Sequence, residues 1–411
     1  MNNAETYYSW VKDLPVIDWH NHLDMAVLAA DEPLGSLYSV WVAADPYKHR
    51  AMRICGESER VITGDAPEAE KWEAWKRTLH KLVGNPLFDW AKAELGLLGI
   101  FNAETRRRGE AEWIKELENA SFAEWTPSKI LRKVGAEMLS PCVSANSVPP
   151  SSVLSESNPA KDTPALPRVN NCGTQCRVVP SLRLTAGEEV SEETLARFHV
   201  AGCRVVDVSV DDIETLCSLR PLWIKTVPGF AAANHWTMLL HLGALRETSS
   251  RLRAATGPAG GYAGMRAPVD PAAVATFLNA LEAADALPRT ILLTLNPEAH
   301  AQLAVLSGSF TREGSPGHVQ LGPAWWWCDH AHGVRDVLEK TAAYGVLSTF
   351  VGMTTDSRSI LSLARHDWFR RTFSRWLAEK VAVGDYPNDE ELLRPLAEAV
   401  CYRNAKRIFE K

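Results

Sequence analysis

A chain of 411 residues has room for two average domains or for one large barrel with insertions. Its hydrophobic content of 46% and charged content of 23% are those of a globular protein with a sizeable core. A net charge of −6 gives no general attraction to nucleic acid or anionic lipid, so neither is expected as a partner.

Eight short apolar or β-branched runs recur, at residues 16–20, 134–144, 177–183, 203–210, 237–243, 290–296, 319–327 and 347–356. Helical patterns lie between most of them, as at 271–286, 333–344 and 366–383. Strands alternating with helices predict parallel pairing through right-handed crossovers. Eight such units predict an α/β protein with a closed, TIM-like (β/α)₈ barrel, an open doubly wound sheet being the alternative. Residues 1–22 and 131–411 would form the barrel. Residues 23–130, rich in tryptophan and charge with helical spacing at 68–82 and 86–97, are too long for a loop and predict a helical insertion over its mouth. Residues 140–175 carry Ser, Pro and Asn with little period and predict an irregular excursion.

The eight cysteines are scattered, and the spacing of Cys172 and Cys176 alone is weak evidence for zinc. With a polar start from Met1 to Trp10 and no stretch of transmembrane length, a reduced, cytoplasmic setting away from the membrane is expected.

The run Val16-Ile17-Asp18-Trp19 ends in His20-Asn21-His22. Side chains alternate along a strand, so both imidazoles face one side and can share a transition-metal ion. The bland alternative is one core and one surface histidine. Asp356 closes the eighth run, where it reads as a third ligand or as a helix N-cap. His241, alone in Leu239-Leu240-His241-Leu242, reads equally as a ligand or a hydrogen-bonded core histidine. His235, His300, His318, His330 and His332 lack such framing and are expected at the surface or in loops. Nothing on the fourth strand resembles a lysine or glutamate that would bridge two ions, which favours a single metal.

Arg183 and Arg358 stand at or just past apolar runs, where a guanidinium can clamp a carboxylate; the alternative is a surface ion pair. Trp325-Trp326-Trp327 could offer at most one face to a sugar, the others serving packing. Tyr47, in Asp45-Pro46-Tyr47-Lys48-His49-Arg50, would lower a phenol onto a bound anion or simply sit at a solvated helix start.

The block Trp325-Trp326-Trp327-Cys328-Asp329, followed by Gly345 to Ser359 with its Thr354-Thr355-Asp356-Ser357-Arg358, resembles the signature of uronate (glucuronate) isomerases. The likeness continues through Arg365-His366-Asp367-Trp368-Phe369-Arg370-Arg371, Cys401-Tyr402-Arg403-Asn404-Ala405-Lys406, Tyr47 to Arg53, Thr63-Gly64-Asp65-Ala66 and Gly84-Asn85-Pro86-Leu87. It also covers Pro180 to Arg183, His241 to Arg246 and Leu295-Asn296-Pro297. The resemblance implies a divergent, shortened member of the amidohydrolase superfamily, a barrel with one divalent metal, zinc, and the interconversion of hexuronates with keto-uronates. It makes His20, His22 and Asp356 metal ligands, with His241 near or on the metal. Tyr47, Arg183, Trp325 and Arg358 become substrate-contacting or catalytic positions, with Asp356, Tyr47 and Arg358 as the catalytic set. The partner implied is a small-molecule sugar acid, and a homo-oligomer is allowed.

The chain departs from the family pattern at Pro46, where a histidine is usual, and at Pro141-Cys142-Val143-Ser144-Ala145, where two carboxylates are gone. It departs again at Asp207-Val208-Ser209, where Asp-His-Ala is usual, and in a shorter stretch at 211–236. Isomerisation through an enediolate needs a base, an acid and positive charge beside the oxyanion. Tyr47 or Asp356 is the candidate base, Arg358 the enediolate stabiliser and Arg183 the carboxylate holder. The rival readings are a metal-dependent hydrolase or lactonase, and a non-catalytic sugar-acid binding protein.

Overall fold

Seven strands, each parallel to its chain-order neighbour, build the sheet: β1 (Val16–Asn21), β2 (Ala136–Ser144), β3 (Ser181–Thr185), β4 (Val205–Val210), β5 (Thr237–Leu242), β6 (Arg289–Thr294) and β7 (Val319–Leu321). They come from a computed structural model, which describes residues 3–108, 113–115, 117, 122–145, 168–169, 176–210, 215–216, 218 and 221–410. Every residue of β1, β4 and β5 is buried, as expected of strands enclosed by helices outside and side chains within. The run predicted at 177–183 is split. Cys176–Val178 pairs with the start of β2, and β3 begins only at Ser181. Most of the excursion predicted at 140–175, Cys172 included, lies outside the described residues.

The eighth run differs from expectation. It opens with a 3-10 turn at Leu347–Thr349, and residues 350–356 join no backbone ladder. Side chains close the ring instead. The Val351 N–H donates to Oε1 of Gln320 on β7 (2.8 Å). On the other side Asp18 of β1 accepts the Thr355 N–H and O–H, each at 2.7 Å. Thr354 Oγ1 takes the His20 N–H (2.9 Å), and the Asp356 and His22 N–H groups donate to the His20 and Ser357 carbonyls at 3.1 and 2.8 Å. Polar Asp, Thr and Gln side chains thus do what a regular strand pairing would do, and they pin the end of the segment to the end of β1. The run predicted at 319–327 is likewise a strand only to Leu321, because the tryptophans turn into a 3-10 helix at Trp326–Cys328.

The helices run close to their predicted limits: Glu68–Leu79, Pro86–Leu97, Pro271–Ala283, Ala331–Tyr344 and Arg365–Ala382. Apolar burial falls into two clusters. One fills the barrel and its outer helices; the other gathers Trp41, Trp75, Trp113 and their neighbours in the helical segment, together with Leu139, Ile360 and Leu361. Asp45 caps the helix Pro46–Ile54 by accepting the N–H groups of Tyr47 and Lys48, with proline at the first helical turn. That cap fixes where Tyr47 stands.

Candidate active site

The C-terminal ends of the strands supply the site. His20 on β1 and His22 one residue past its end both turn toward Asp356, which the pinned eighth segment brings opposite them. His20 Nε2 and His22 Nε2 each lie 3.1 Å from Asp356 Oδ1. The other oxygen, Oδ2, accepts the Trp325 indole N–H at 2.8 Å. Asp356 has a φ of 49°, a left-handed conformation uncommon for a residue with a side chain. Its carboxylate faces the imidazoles, so the N-cap alternative is not what the chain adopts.

His241 of β5 joins the same cluster, its ring 4.9 Å from that of His20 and 4.4 Å from Trp325. Its Nδ1 contacts Asp207 Oδ1 at 2.5 Å. Asp207, fully buried on β4, also accepts from Arg183 Nη1 at 2.8 Å and from the Cys142 thiol at 3.3 Å. Arg183 and Asp207 are register partners on adjacent strands, so this pair is built into the sheet.

Burial would raise the pKa of Asp356, yet its contacts with His20 and His22 outweigh that and hold it well below the usual carboxylate range. Burial would likewise raise Asp207, but His241 and Arg183 hold it low. His22 and His241 are shifted down by burial, which favours the neutral imidazole that a metal needs. His20 Nε2 and His241 Nε2 are buried without a hydrogen-bond partner, although both rings are otherwise tied down. Lone pairs left open beside a carboxylate are what a cation site requires. Among the described residues, His20–His22–Cys142 and His20–Asp207–His241 also form triplets whose donor atoms lie within 4.8 Å of one another.

An open cleft of about 670 Å³ leads to this cluster, lined by His22, Tyr47, Trp326, Trp327, Asp356 and Arg358 among others. Arg358 is exposed, whereas Tyr47 is half-buried and packs edge-on against Trp90 and Trp327. Burial pushes the Tyr47 phenol well above its usual pKa, and the charge of Asp356 adds to the shift.

The structure therefore brings His20, His22, His241, Asp356, Tyr47, Trp325 and Arg358 to one place, with Arg183 anchored beneath on Asp207. Of the three tryptophans, Trp325 is buried on the carboxylate, while Trp326 and Trp327 line the open cleft. His318 lies in the loop before β7, as expected, though buried, whereas His300 is buried at a helix start and paired with Asp336 at 2.6 Å. Sequence reasoning missed Asp18, Asp207, Cys142 and Arg365 as members of the site. The first two carried a signal, since each is a carboxylate inside an otherwise apolar strand, a placement that demands partners. Cys142, and Arg365 in the cleft lining, lay inside segments that the family likeness had marked, without a role being read for either.

The family model for glucuronate isomerase matches residues 1–154 and 181–409. Uronate isomerases of Bacillus licheniformis and Caldicellulosiruptor bescii are 30% and 31% identical, each over 98% of this chain and over 94% and 96% of their own lengths. A crystal structure of the Thermotoga maritima uronate isomerase superposes with a TM-score of 0.81 at 24% identity, covering 99% of this chain and 97% of that one. The glucuronate isomerase structure from Caulobacter crescentus gives 0.77 at 20% identity, with 99% and 94% covered, so the closed barrel is shared even where little sequence is. With its length, its barrel and the convergence of the two ends of the chain on one cluster all in agreement, the chain belongs to the glucuronate isomerase family.

Proposed function

We propose that this chain is an aldose–ketose isomerase that interconverts a hexuronate and its keto-uronate. The observation that carries the reading is the junction of His20 and His22 with Asp356, at the foot of a cleft bearing a phenol and a guanidinium. His20, His22, His241 and Asp356 would hold one divalent ion, and a donor set of imidazoles and a carboxylate suits zinc. When bound, such an ion supplies positive charge for sugar oxygens.

The protein's own groups account for the rest. Asp356, kept ionised by His20 and His22 and oriented by the Trp325 N–H, is the base for the C2 proton and returns it at C1. Tyr47, held in its protonated form by burial, donates a hydrogen bond to a sugar oxygen or carboxylate. Arg358, exposed on the cleft wall, offsets the charge of the enediolate. Arg183 acts from below: its contact with Asp207 orients His241, and its remaining N–H groups are available to an acidic ligand. The described residues between 23 and 130 would form the helical cover that carries Tyr47 and Trp90 over the barrel mouth. The six described cysteines are free, which supports a reducing cytoplasmic setting, and among the described residues no helix is long and apolar enough to cross a membrane.

The test is solvent exchange during turnover. Incubating the metal-loaded protein with glucuronate or galacturonate in deuterated water should give keto product carrying deuterium, at least in part. D356N should lose turnover and exchange together, by about 10²–10⁴-fold. Neither turnover nor exchange from the wild-type protein across a panel of uronates would overturn the reading.

A further inference from the structure

Cys142 lies under the site, where none of the roles above uses it. Its sulfur is 3.3 Å from each of three polar atoms: His20 Nδ1, Asp207 Oδ2 and Ser181 Oγ. A thiol has one proton to donate, so the three contacts can be satisfied in few ways. Asp207 Oδ2 already accepts from Arg183 Nη1 at 2.8 Å and is an acceptor toward the thiol too, so the S–H points to it. The Ser181 hydroxyl then donates to sulfur. His20 must donate to sulfur as well, which places the ring proton on Nδ1.

That assignment leaves the His20 Nε2 lone pair free, on the atom that is buried without a hydrogen-bond partner and faces Asp356. The same carboxylate works in parallel on the second ring. Asp207 Oδ1 accepts from His241 Nδ1, and His241 Nε2 is again the open atom. One buried aspartate thus directs two imidazoles, one by direct contact and one through sulfur.

We infer that Cys142 is a positioning residue: its thiol links Asp207 to His20 Nδ1 and fixes the tautomer and aim of His20 toward a divalent cation, without itself binding that cation. Groups that hold the far nitrogen of a ligating histidine set both its orientation and its basicity. A carboxylate or backbone carbonyl usually fills that place, and here a thiol would relay the carboxylate's pull. The inference rests on the metal reading proposed above, but it concerns affinity and geometry rather than turnover.

The experiment uses metal-free full-length protein titrated with Zn²⁺ against a chromophoric chelator, and then with Co²⁺ while the absorption spectrum is recorded. C142A should bind zinc roughly 10–100-fold more weakly than wild type. C142S should stay near wild type, because a hydroxyl can donate to Asp207 and accept from His20 in the same way. The cobalt spectrum of wild type should lack a near-ultraviolet thiolate-to-metal charge-transfer band. Circular dichroism and Tm check that each variant is folded, and if C142A is not, S181A and C142S carry the comparison. S181A keeps the S–H bridge and should bind nearly as well as wild type.

Wild-type affinity in C142A would overturn the inference, as would equal losses in C142A and C142S, which would reduce the residue to packing. A charge-transfer band abolished by C142S would overturn it in another way, by making sulfur a ligand. Wild-type protein that takes up neither ion would remove the metal reading itself and this inference with it. Tight binding by wild type with no loss in C142A leaves the metal reading standing and removes only the relay.

Discussion

Asp356 shows how much one residue's setting matters. Its carboxylate touches two imidazoles with one oxygen and an indole N–H with the other, on a backbone held at a φ of 49°. The indole contact is the one that can be removed without touching the imidazoles. Trp325→Phe keeps an aromatic ring against His241 and deletes the N–H, together with one ring of the indole. A hydrogen bond to a charged group contributes about 1.5–3 kcal/mol, so kcat should fall about 10- to 100-fold while zinc content stays at the wild-type level. Steady-state kinetics with metal analysis on the same sample checks this, and unchanged kcat would show that the indole serves packing alone. The residues of this site were unevenly legible in the sequence. His20, His22 and Asp356 could be read because strand alternation and chain ends put them in view. Asp207 was hidden in plain sight inside Val205-Val206-Asp207-Val208, since a lone carboxylate in a strand does not name its partners. Those partners, His241, Arg183 and Cys142, come from three other strands, and only register and barrel curvature bring them together.

At the scale of elements, periodicity located the helices and most strands well, because burial on both faces gives parallel strands continuous apolar runs. It failed for the eighth run, where Thr354, Thr355 and the Asp18 carboxylate replace ladder bonds that no pattern of hydrophobicity records. It also gave no hint of how the cleft wall is completed. After β5 the chain forms a short hairpin, Ala244–Leu245 with Gly264–Met265, and the connecting segment reaches across to the helix that carries Tyr47. Arg53 donates to the Gly260 carbonyl there, and Arg50 reaches the Ala263 carbonyl at 3.4 Å. Gly261 makes the approach feasible. Its φ is +84°, and a Cβ would lie 2.2 Å from the Pro46 carbonyl oxygen, a backbone atom that cannot step aside. Gly261→Ala should therefore push the segment off the helix start rather than unfold the barrel. The expected cost is about 1–3 kcal/mol of stability, with a severalfold rise in KM and a smaller change in kcat. Denaturant melts and Michaelis–Menten curves with a uronate measure both, and an unchanged KM would mean the segment does not shape the cleft.

For the molecule as a whole, two histidines that burial holds neutral, His318 and His300, tie stability to acidity from outside the catalytic cluster. His318 precedes β7, where its carbonyl accepts the Thr290 N–H at 2.8 Å and its ring contacts Ser315 Oγ at 3.1 Å. Burial lowers its pKa to about 4, and the neighbouring Arg289 and Arg312 charges act in the same direction. An unfolded histidine titrates near 6.5, so between about 6.5 and 4 the unfolded chain takes up a proton that the folded chain refuses. The unfolded state is favoured progressively across that window, and stability is lost as pH falls through it. Below about 4 both states are protonated and the loss levels off. His300, also lowered by burial although Asp336 opposes the shift, pulls the same way. His318→Gln removes one titration while leaving a polar side chain for Ser315. The variant should therefore be somewhat less stable at pH 7, from altered packing, yet lose less Tm than wild type between pH 6.5 and 4. Parallel melts at half-unit steps of pH give the two slopes, and equal slopes would show that His318 is protonated as readily in the fold as out of it. Because the ring supports the start of β7 rather than the cleft, the pH dependence of kcat/KM should be the same in both proteins. Acid unfolding of the barrel and acid loss of activity would then be separable events, governed by different histidines.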